Sequence, residues 1–238
     1  MKIAIIGYGK MGKEIEQIAL QRGHEVLLKI TSSNLEDMSL ENLQKCDVAI
    51  EFTRPDKAIE NIKKCFDAHL PVVVGTTGWF EQLEEVKQLC ASSNGTLLYA
   101  SNCSLGVNIF FELNKKLAQL MKSQEDYQVQ IEEIHHTQKL DAPSGTAITL
   151  AEGLIENYPS KSSWENNLSD NNAVLPVISH RIENVPGTHV IKYSSEIDEI
   201  EIKHTAHNRK GFASGAVIAA EYIAPKKGVF TMSDVLFN

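Results

Sequence analysis

The chain has 238 residues, of which 42% are hydrophobic and 23% are charged, so it can bury one substantial core or two modest ones. Its formal net charge of -8 argues against a general nucleic-acid binder. No stretch approaches the roughly 18 apolar residues of a membrane helix and no signal peptide precedes the first strand, which predicts a cytoplasmic protein in a prokaryotic source.

The chain opens with a predicted strand, a glycine turn and a helix. Residues 2–6 form a short apolar run, and apolar residues recur at helical spacing from Ile15 onward. The turn between them has the spacing GxGxxG, whose glycines allow a tight turn, close approach of the backbone to a pyrophosphate, and close helix packing. This context favours dinucleotide binding over a merely structural turn. The predicted cofactor contacts here are Gly7, Tyr8, Gly9, Lys10, Met11 and Gly12.

The second predicted strand, residues 25–30, ends without the acidic residue that grips the adenosine ribose in NAD-dependent proteins. Thr31, Ser32 and Ser33 follow it, and Lys29 lies just before its end. A carboxylate would repel a 2'-phosphate, whereas hydroxyls and a lysine could accept one. The sequence therefore leans toward NADPH, or toward use of both NADPH and NADH, although Lys29 could equally point into solvent. Thr31 is assigned to the cofactor site.

Residues 47–52, 70–74 and 96–99 are further predicted strands, with helices expected at 55–66 and 80–92. Alternation of strand and helix on this spacing indicates a parallel sheet. The strands end in small or hydroxyl residues at the carboxyl edge, where such sheets bind ligands, so nucleotide contact is favoured over ordinary connections. The residues predicted to contact the cofactor at this edge are Phe52, Thr53, Gly75, Thr76, Thr77, Ala100, Ser101 and Asn102.

The pattern changes after Asn102. A helix is predicted at 107–121, a strand ends at residues 135–136, and a polar excursion at 157–172 is expected to be exposed. Strands are then predicted at 173–178, 188–193 and 196–205, before a helix at 212–223 and a terminal strand or turn at 228–237. Strand runs beside few helices indicate a second, α+β domain.

The four cysteines lie far apart with no CxxC pair, which predicts reduced thiols. Cys46, Cys65 and Cys90 fall in or near apolar periodic segments and are expected in the core. Cys103 follows the loop at residues 101–102 and could line a site, although no base is evident beside it.

Residues 135–147 concentrate the side chains that could carry chemistry. His135 and His136 sit where a strand ends, and a Pro-Ser-Gly-Thr turn opens a helix whose first-turn amides favour an anion. Lys139 adds a positive charge, and an unpaired cluster of this kind is what a dicarboxylic substrate would neutralise. Protonatable rings beside an anion cradle indicate acid catalysis. The alternative is that two adjacent histidines at a strand end are only solvated polar residues.

A metal site is the weaker alternative for this segment. Neighbouring positions on a strand point to opposite faces, no cysteine lies nearby, and no His-x-Glu or His-x3-His arrangement follows. We therefore expect no metal at these histidines.

Together these motifs resemble the dihydrodipicolinate reductase family, also called 4-hydroxy-tetrahydrodipicolinate reductases. The strongest is the signature His-His-x-x-Lys-x-Asp-Ala-Pro-Ser-Gly-Thr-Ala, which residues 135–147 carry in full. Residues 7–12, 75–78, 101–108 and 204–217 carry further family motifs, so the resemblance runs essentially from end to end.

The resemblance implies a Rossmann-like, doubly wound α/β domain of residues 1–103 and 210–238 that holds NADH or NADPH. Residues 104–209 would form a smaller α+β domain with a mixed or open sheet, for substrate binding and for assembly into a homotetramer. The implied reaction reduces a cyclic unsaturated dicarboxylate to tetrahydrodipicolinate in the diaminopimelate route to lysine. Cys103 and Arg209 would join the cofactor site.

Roles for individual residues follow from the same resemblance. His135 would be the proton donor and acceptor, and Lys139 a second donor. Hydride delivered to the conjugated imine leaves negative charge that a positioned acid must quench. The implied contacts to substrate and its carboxylates are His136, Lys139, Ser144, Gly145 and Thr146.

Two features depart from the pattern of many family members. Thr31 or its neighbours stand where an acid is common, and Glu183 replaces the first glycine of an Arg-x-Gly-x3-Gly-x-His segment at residues 181–189. Two other protein classes would share the glycine turn. A different two-domain dehydrogenase, such as aspartate dehydrogenase, would not need the complete signature. A redox-sensing nucleotide-binding regulator would need no proton donor, and the chain lacks a basic DNA-binding segment.

Overall fold

The computed structural model describes residues 1–237, and the chain divides into two compact units. The first unit combines Met1–Leu105 with the chain from Arg209 onward, and the second unit is Gly106–Asn208. The boundaries expected from sequence, 103/104 and 209/210, lie within two residues of these. The assignment of cofactor to one unit and substrate to the other stays a prediction.

The secondary structure consists of eleven strands and eight α-helices within residues 1–237. The strands are β1 (Lys2–Ile6), β2 (Glu25–Ile30), β3 (Val48–Glu51), β4 (Val72–Val74), β5 (Thr96–Tyr99), β6 (Gln128–His135), β7 (Ser163–Glu165), β8 (Val174–Arg181), β9 (Gly187–Ser194), β10 (Glu199–Ala206) and β11 (Gly228–Phe230). The helices are α1 (Lys10–Gln21), α2 (Leu40–Leu43), α3 (Pro55–Asp67), α4 (Leu83–Ser92), α5 (Leu105–Met121), α6 (Gly145–Ile155), α7 (Lys210–Ile223) and α8 (Met232–Phe237). Among residues 1–237, every helix is too short or too polar to span a bilayer.

The first unit is built on a six-stranded sheet in the order β11-β5-β4-β3-β1-β2, in which every neighbouring pair is parallel. β1, β3 and β4 are almost entirely buried because helices cover both faces, which explains their apolar sequences. The predicted doubly wound α/β fold is confirmed. The strand order reverses at β1 and β3, and ligands bind at the carboxyl ends of the strands beside such a reversal.

The last long helix packs on the first unit. Ala213 and Ala216 of α7 share a core with Ile3 and Ile5 of β1. A Cβ at position 215, now glycine, would lie 1.7 Å from the carbonyl oxygen of Cys103, so the helix approaches that loop very closely. The small residues of α7 therefore serve close packing.

The second unit contains a five-stranded sheet in the order β10-β9-β6-β8-β7. β6 is antiparallel to β9 and parallel to β8, so the sheet is mixed, as predicted. Val129 and Ile131 of β6 share a core with Leu150 of α6. Glu133 and His135 continue the same buried face of β6, because side chains on a strand alternate between its two faces.

Two predictions for the second unit are wrong in part. The strand expected at 196–205 begins at Glu199, because residues 195–198 form a turn in which the N–H of Ser195 donates to the carbonyl oxygen of Asp198 at 2.9 Å. The polar excursion at 157–172 is not wholly exposed, since it contains β7 and the buried Lys161. The ammonium of Lys161 donates to two backbone carbonyl oxygens at 2.7 and 3.1 Å, which satisfies it within the protein.

Candidate active site

In the first unit, the carboxyl edge of the parallel sheet forms a cleft of about 470 Å³. Loops after β1, β3 and β4 line it, as expected for strands that run in one direction. The lining residues are Gly7, Gly9, Lys10, Met11, Phe52, Thr53, Pro55, Gly75, Thr76 and Thr77. All of them except Pro55 are among the cofactor contacts assigned from sequence.

The remaining predicted cofactor contacts do not line this cleft; they are Tyr8, Gly12, Thr31, Ala100, Ser101, Asn102, Cys103 and Arg209. Tyr8 donates a hydrogen bond to the carboxylate of Glu16. Arg209 occupies the N-cap position of α7. Cys103 is buried, and burial raises the pKa of its thiol to about 12, so the sulfur stays protonated and unreactive.

The end of β2 offers hydroxyls and an amide, but its lysine is already paired. Lys29 Nζ lies 2.7 Å from Oε1 of Glu16 and 5.4 Å from the centre of the Tyr8 ring. The hydrogen bond to Glu16 raises the pKa of Lys29. The N–H and the hydroxyl of Thr31 each donate to Oδ1 of Asn34 at 2.7 Å. A 2'-phosphate at this position would have to compete with Glu16 for Lys29.

The glycine turn has the geometry that its spacing predicts. Gly7 has a φ of +97°, and a Cβ there would lie 2.1 Å from the carbonyl oxygen of Phe52. A Cβ at Gly12 would lie 2.6 Å from the carbonyl oxygen of Gly7. A Cβ at Gly9 would meet no atom within 4 Å. The first and third glycines are therefore required by the fold, whereas Gly9 leaves the open space that an approaching phosphate needs.

The variants Gly9→Ala and Gly12→Ala separate these two requirements. We expect Gly9→Ala to fold normally and to raise the KM for the nicotinamide cofactor by about tenfold, which corresponds to about 1.4 kcal/mol of lost binding. Gly12→Ala, the matched control, should lower stability by about 1–3 kcal/mol because its methyl group collides with backbone. Steady-state kinetics and thermal unfolding test both. A wild-type cofactor KM in Gly9→Ala would place the pyrophosphate elsewhere.

Glu51 at the end of β3 is a buried acid that connects two of the cleft loops. Its Oε1 accepts hydrogen bonds from the N–H of Thr53 at 3.1 Å and from Nδ2 of Asn61 at 3.2 Å. The same N–H donates to Oγ1 of Thr76 at 2.7 Å, and burial raises the pKa of Glu51. Glu51 is not among the predicted site residues, because it stands inside an otherwise apolar run.

In the second unit, strand pairing assembles a polar cluster around His135. This residue ends β6 and is only 7% exposed. Glu133 pairs across the sheet with His189 of β9, and His135 pairs with Arg181 of β8. Nδ1 of His135 lies 3.2 Å from Oε2 of Glu133, and the ring of His189 meets that of His135 edge-on, with centres 5.1 Å apart. His135 is therefore not a solvated residue at a strand end.

The unpaired cation expected at Lys139 is a wrong prediction. Its Nζ lies 2.8 Å from both carboxylate oxygens of Asp141, an exposed residue. Exposed ion pairs contribute little to stability, so a substrate carboxylate can replace this partner at small cost. His136 lies just beyond the end of β6 and is partly exposed.

The predicted turn into α6 is confirmed. Ser144 is the N-cap, and its Oγ accepts a hydrogen bond from the N–H of Ala147 at 3.2 Å. The same Oγ lies 3.3 Å from Nε2 of His189. A Cβ at Gly145 would meet no atom within 4 Å, so there is room for a ligand at this end of the helix. The amides of such a helix end favour an anion, which Gly145 and Thr146 are expected to bind.

The prediction that no metal binds concerns only the adjacent residues His135 and His136. The fold instead brings together Glu133, His135 and His189 with potential ligand atoms within 4.8 Å of one another. Nη2 of Arg181 lies 3.2 Å from the same carboxylate of Glu133, and its positive charge disfavours a cation there. The absence of a metal stays a prediction.

Burial and the local contacts decide the protonation states of this cluster. Burial alone would raise the pKa of Glu133, but its contacts with His135, Ser144 and Ser179 outweigh burial and hold the pKa well below the ordinary value. Burial, and then the neighbouring charge of His135, lower the pKa of His189 to about 3. Glu133 is therefore ionised and His189 neutral at physiological pH.

The neutral state of His189 makes the fold sensitive to acid. The unfolded chain binds a proton on this imidazole near pH 6.5, whereas the folded protein does so only near pH 3. The free energy of unfolding therefore falls as pH falls below 6.5, by up to about 1.4 kcal/mol per pH unit from this group. In urea titrations between pH 6.5 and 4.5, the stability advantage of wild type over His189→Gln should shrink. A constant difference would contradict the burial of a neutral imidazole.

Comparison with known proteins places the whole chain in one family. Residues 1–103 match the family model for the dihydrodipicolinate reductase N-terminus, and residues 106–236 match that for its C-terminus. A 4-hydroxy-tetrahydrodipicolinate reductase of Christiangramia forsetii is 50% identical, covering 99% of this chain and 98% of the relative. One of Alkaliphilus oremlandii is 32% identical with the same coverage.

A solved structure agrees with these relatives. The dipicolinate-bound dihydrodipicolinate reductase of Paenisporosarcina sp. TG-14 is 26% identical, with a TM-score of 0.75 and 97% coverage of both chains. The resemblance found in the sequence motifs is confirmed, and the aspartate dehydrogenase and regulator alternatives are set aside. The chain therefore belongs to the dihydrodipicolinate reductase family.

Proposed function

We propose that this chain reduces 4-hydroxy-tetrahydrodipicolinate to tetrahydrodipicolinate with NADH or NADPH, in the diaminopimelate route to lysine. The observation that carries this proposal is the complete signature at residues 135–147, which folds as a buried His135 followed by a helix start capped by Ser144. Relatives of that name match 99% of the chain. The dipicolinate-bound neighbour supports a small cyclic dicarboxylate as substrate.

The residues of the second unit fit the chemistry of this reduction. Loss of the 4-hydroxyl group of the substrate as water leaves a conjugated imine, to which the nicotinamide cofactor, when bound, would supply a hydride. Negative charge then develops on the adjacent carbon and the ring nitrogen, and His135 donates the proton that quenches it. Lys139 and the amides of Gly145 and Thr146 bind the substrate carboxylates, which orients the ring for that transfer. His136 contributes a further substrate contact.

The reaction is tested by supplying substrate from the preceding synthase and following oxidation of NADPH and of NADH by the purified protein. We expect turnover with both, because Thr31 and its neighbouring hydroxyls neither repel a 2'-phosphate nor supply the acid that selects NADH. If the protein oxidises neither NADPH nor NADH, the reductase proposal is contradicted. Turnover with only one would contradict dual use.

We also propose that residues 1–103 with 210–238 bind the cofactor, and that residues 104–209 bind substrate and assemble a cytoplasmic homotetramer. The glycine turn supports the first assignment and the signature segment supports the second. All four cysteines are free thiols, as is usual in reducing compartments. Light scattering should give four times the chain mass of 26.4 kDa. A monomeric mass would contradict the tetramer.

A further inference from the structure

Glu133 lies at the centre of the His135 cluster, and the proposed reaction gives it no role. Its side chain is fully buried on the same face of β6 as His135. Oε1 accepts hydrogen bonds from Oγ of Ser179 at 2.8 Å, from the N–H of Ser144 at 3.1 Å and from Nη2 of Arg181 at 3.2 Å. Oε2 faces Nδ1 of His135 at 3.2 Å.

These contacts fix the charge of Glu133 and thereby the tautomer of His135. A buried carboxylate is costly unless it is paired, and here its contacts keep it ionised. An ionised carboxylate presents only lone pairs and negative charge, so a ring nitrogen 3.2 Å from it is favoured to carry a proton over one that presents its own lone pair. Nδ1 of neutral His135 is therefore the protonated nitrogen, and Nε2 is left to exchange a proton. Gly187 lies beside this nitrogen, since a Cβ added at position 187 would lie 3.1 Å from Nε2 of His135.

The same carboxylate also holds the start of α6. The N–H of Ser144 donates to Glu133, while Oγ of Ser144 caps the helix. One buried charge thus connects the end of β6, which carries the proton donor, to the turn whose amides are expected to bind a substrate carboxylate. A buried charge that accepts hydrogen bonds from several elements restricts how those elements can move relative to one another.

We propose that Glu133 is a positioning residue that keeps the proton on Nδ1 of His135, so that Nε2 serves proton transfer, and that anchors Ser144 at the start of α6. Its kinetic consequence rests on the proposed function, whereas the tautomer does not. The other charged or titratable groups beside this pair are Arg181 and His189, and Lys139 and His204 act in turn on His189.

Nitrogen-15 NMR of the imidazole rings tests the tautomer directly. In the wild-type protein, at a pH where His135 is neutral, we expect the Nδ1–H form. In Glu133→Gln, the amide oxygen should keep the donors of Ser144, Ser179 and Arg181, which turns the amide NH₂ toward Nδ1. The expected result is a shift to the Nε2–H form and a fall in kcat of about 10²-fold or more, as when an amide replaces the carboxylate of a catalytic triad.

Matched variants distinguish positioning from general damage to the fold. Glu132→Gln changes the residue of β6 that immediately precedes Glu133 and lies on the opposite face of the strand. This variant should keep both the wild-type tautomer and the wild-type rate. Glu133→Asp keeps the charge and should recover part of the rate lost in Glu133→Gln.

Two results would overturn the proposal: an Nε2–H tautomer in the wild-type protein, or a wild-type tautomer and rate in Glu133→Gln. If Glu133→Gln does not fold, the wild-type spectrum still decides the tautomer. Failure of the proposed function would give a different result. The wild-type protein would then oxidise neither NADPH nor NADH in the presence of substrate, while its His135 would still show the Nδ1–H form.

Discussion

Replacing His135 with glutamine is expected to lower the turnover number by about 10²–10⁴-fold, because the amide of glutamine is too weak an acid to protonate the reduced substrate. The affinity for cofactor should stay close to that of wild type. All residues that line the cleft at the carboxyl edge of the parallel sheet belong to the first unit, whereas His135 belongs to the second. Steady-state kinetics with both substrates varied gives kcat and the two KM values needed.

A control for His135→Gln is the same substitution at His180, an exposed residue of β8. His180→Gln should keep the wild-type rate. Because His135 is buried, thermal unfolding of both variants shows how much of any loss comes from the fold. A folded His135→Gln protein with an unchanged maximal rate would refute the role of His135 in proton transfer.

The first unit could be predicted in detail because its signals are local. Gly7 and Gly12 lie where the turn has no room for a Cβ, and that requirement is visible in the spacing of the glycines. The buried strands are short apolar runs, which periodicity identifies. The cleft combines several loops, yet parallel strands share one carboxyl edge, so local assignments were enough to bring Thr53 and Thr76 together.

The His135 cluster was not predicted, because it depends on pairing between strands far apart in the chain. His189 and Arg181 reach it only through the register of β9 and β8 against β6. Register of that kind is set by the whole sheet and not by the residues of one strand. One local signal was available: Glu133 stands two residues before His135 and continues a buried apolar face, where an acid needs a partner.

The departure at Glu183 also has a structural explanation. The connection between β8 and β9 includes Asn184, whose φ of +62° supplies a left-handed residue immediately after Glu183. Asparagine adopts this conformation more readily than most residues, so the turn does not need glycine at position 183. Arg181 and Gly187 at the two ends of the segment lie beside Glu133 and His135, respectively.

Replacing Lys139 with alanine is expected to lower kcat/KM for the dicarboxylate by about 10- to 100-fold, since a hydrogen bond to a charged group contributes about 1.5–3 kcal/mol. The KM for the nicotinamide cofactor should not change. Stability should change little, because the partner of Lys139 in this ion pair, Asp141, is exposed. Inhibition by dipicolinate, measured with both the variant and the wild type, isolates binding from the chemical step.

Asp141→Asn is the informative partner variant, because Lys139 is held by Asp141 in the absence of substrate. Without that carboxylate, the ammonium of Lys139 has no competing negative partner at position 141. Dipicolinate should therefore bind to Asp141→Asn at least as tightly as to wild type. The test of the assignment is that Lys139→Ala weakens dipicolinate binding whereas Asp141→Asn does not. If both substitutions weakened dipicolinate binding equally, the ion pair between Lys139 and Asp141 would act by holding the conformation of the loop between β6 and α6. If Lys139→Ala kept wild-type kinetics, Lys139 would not contact the substrate.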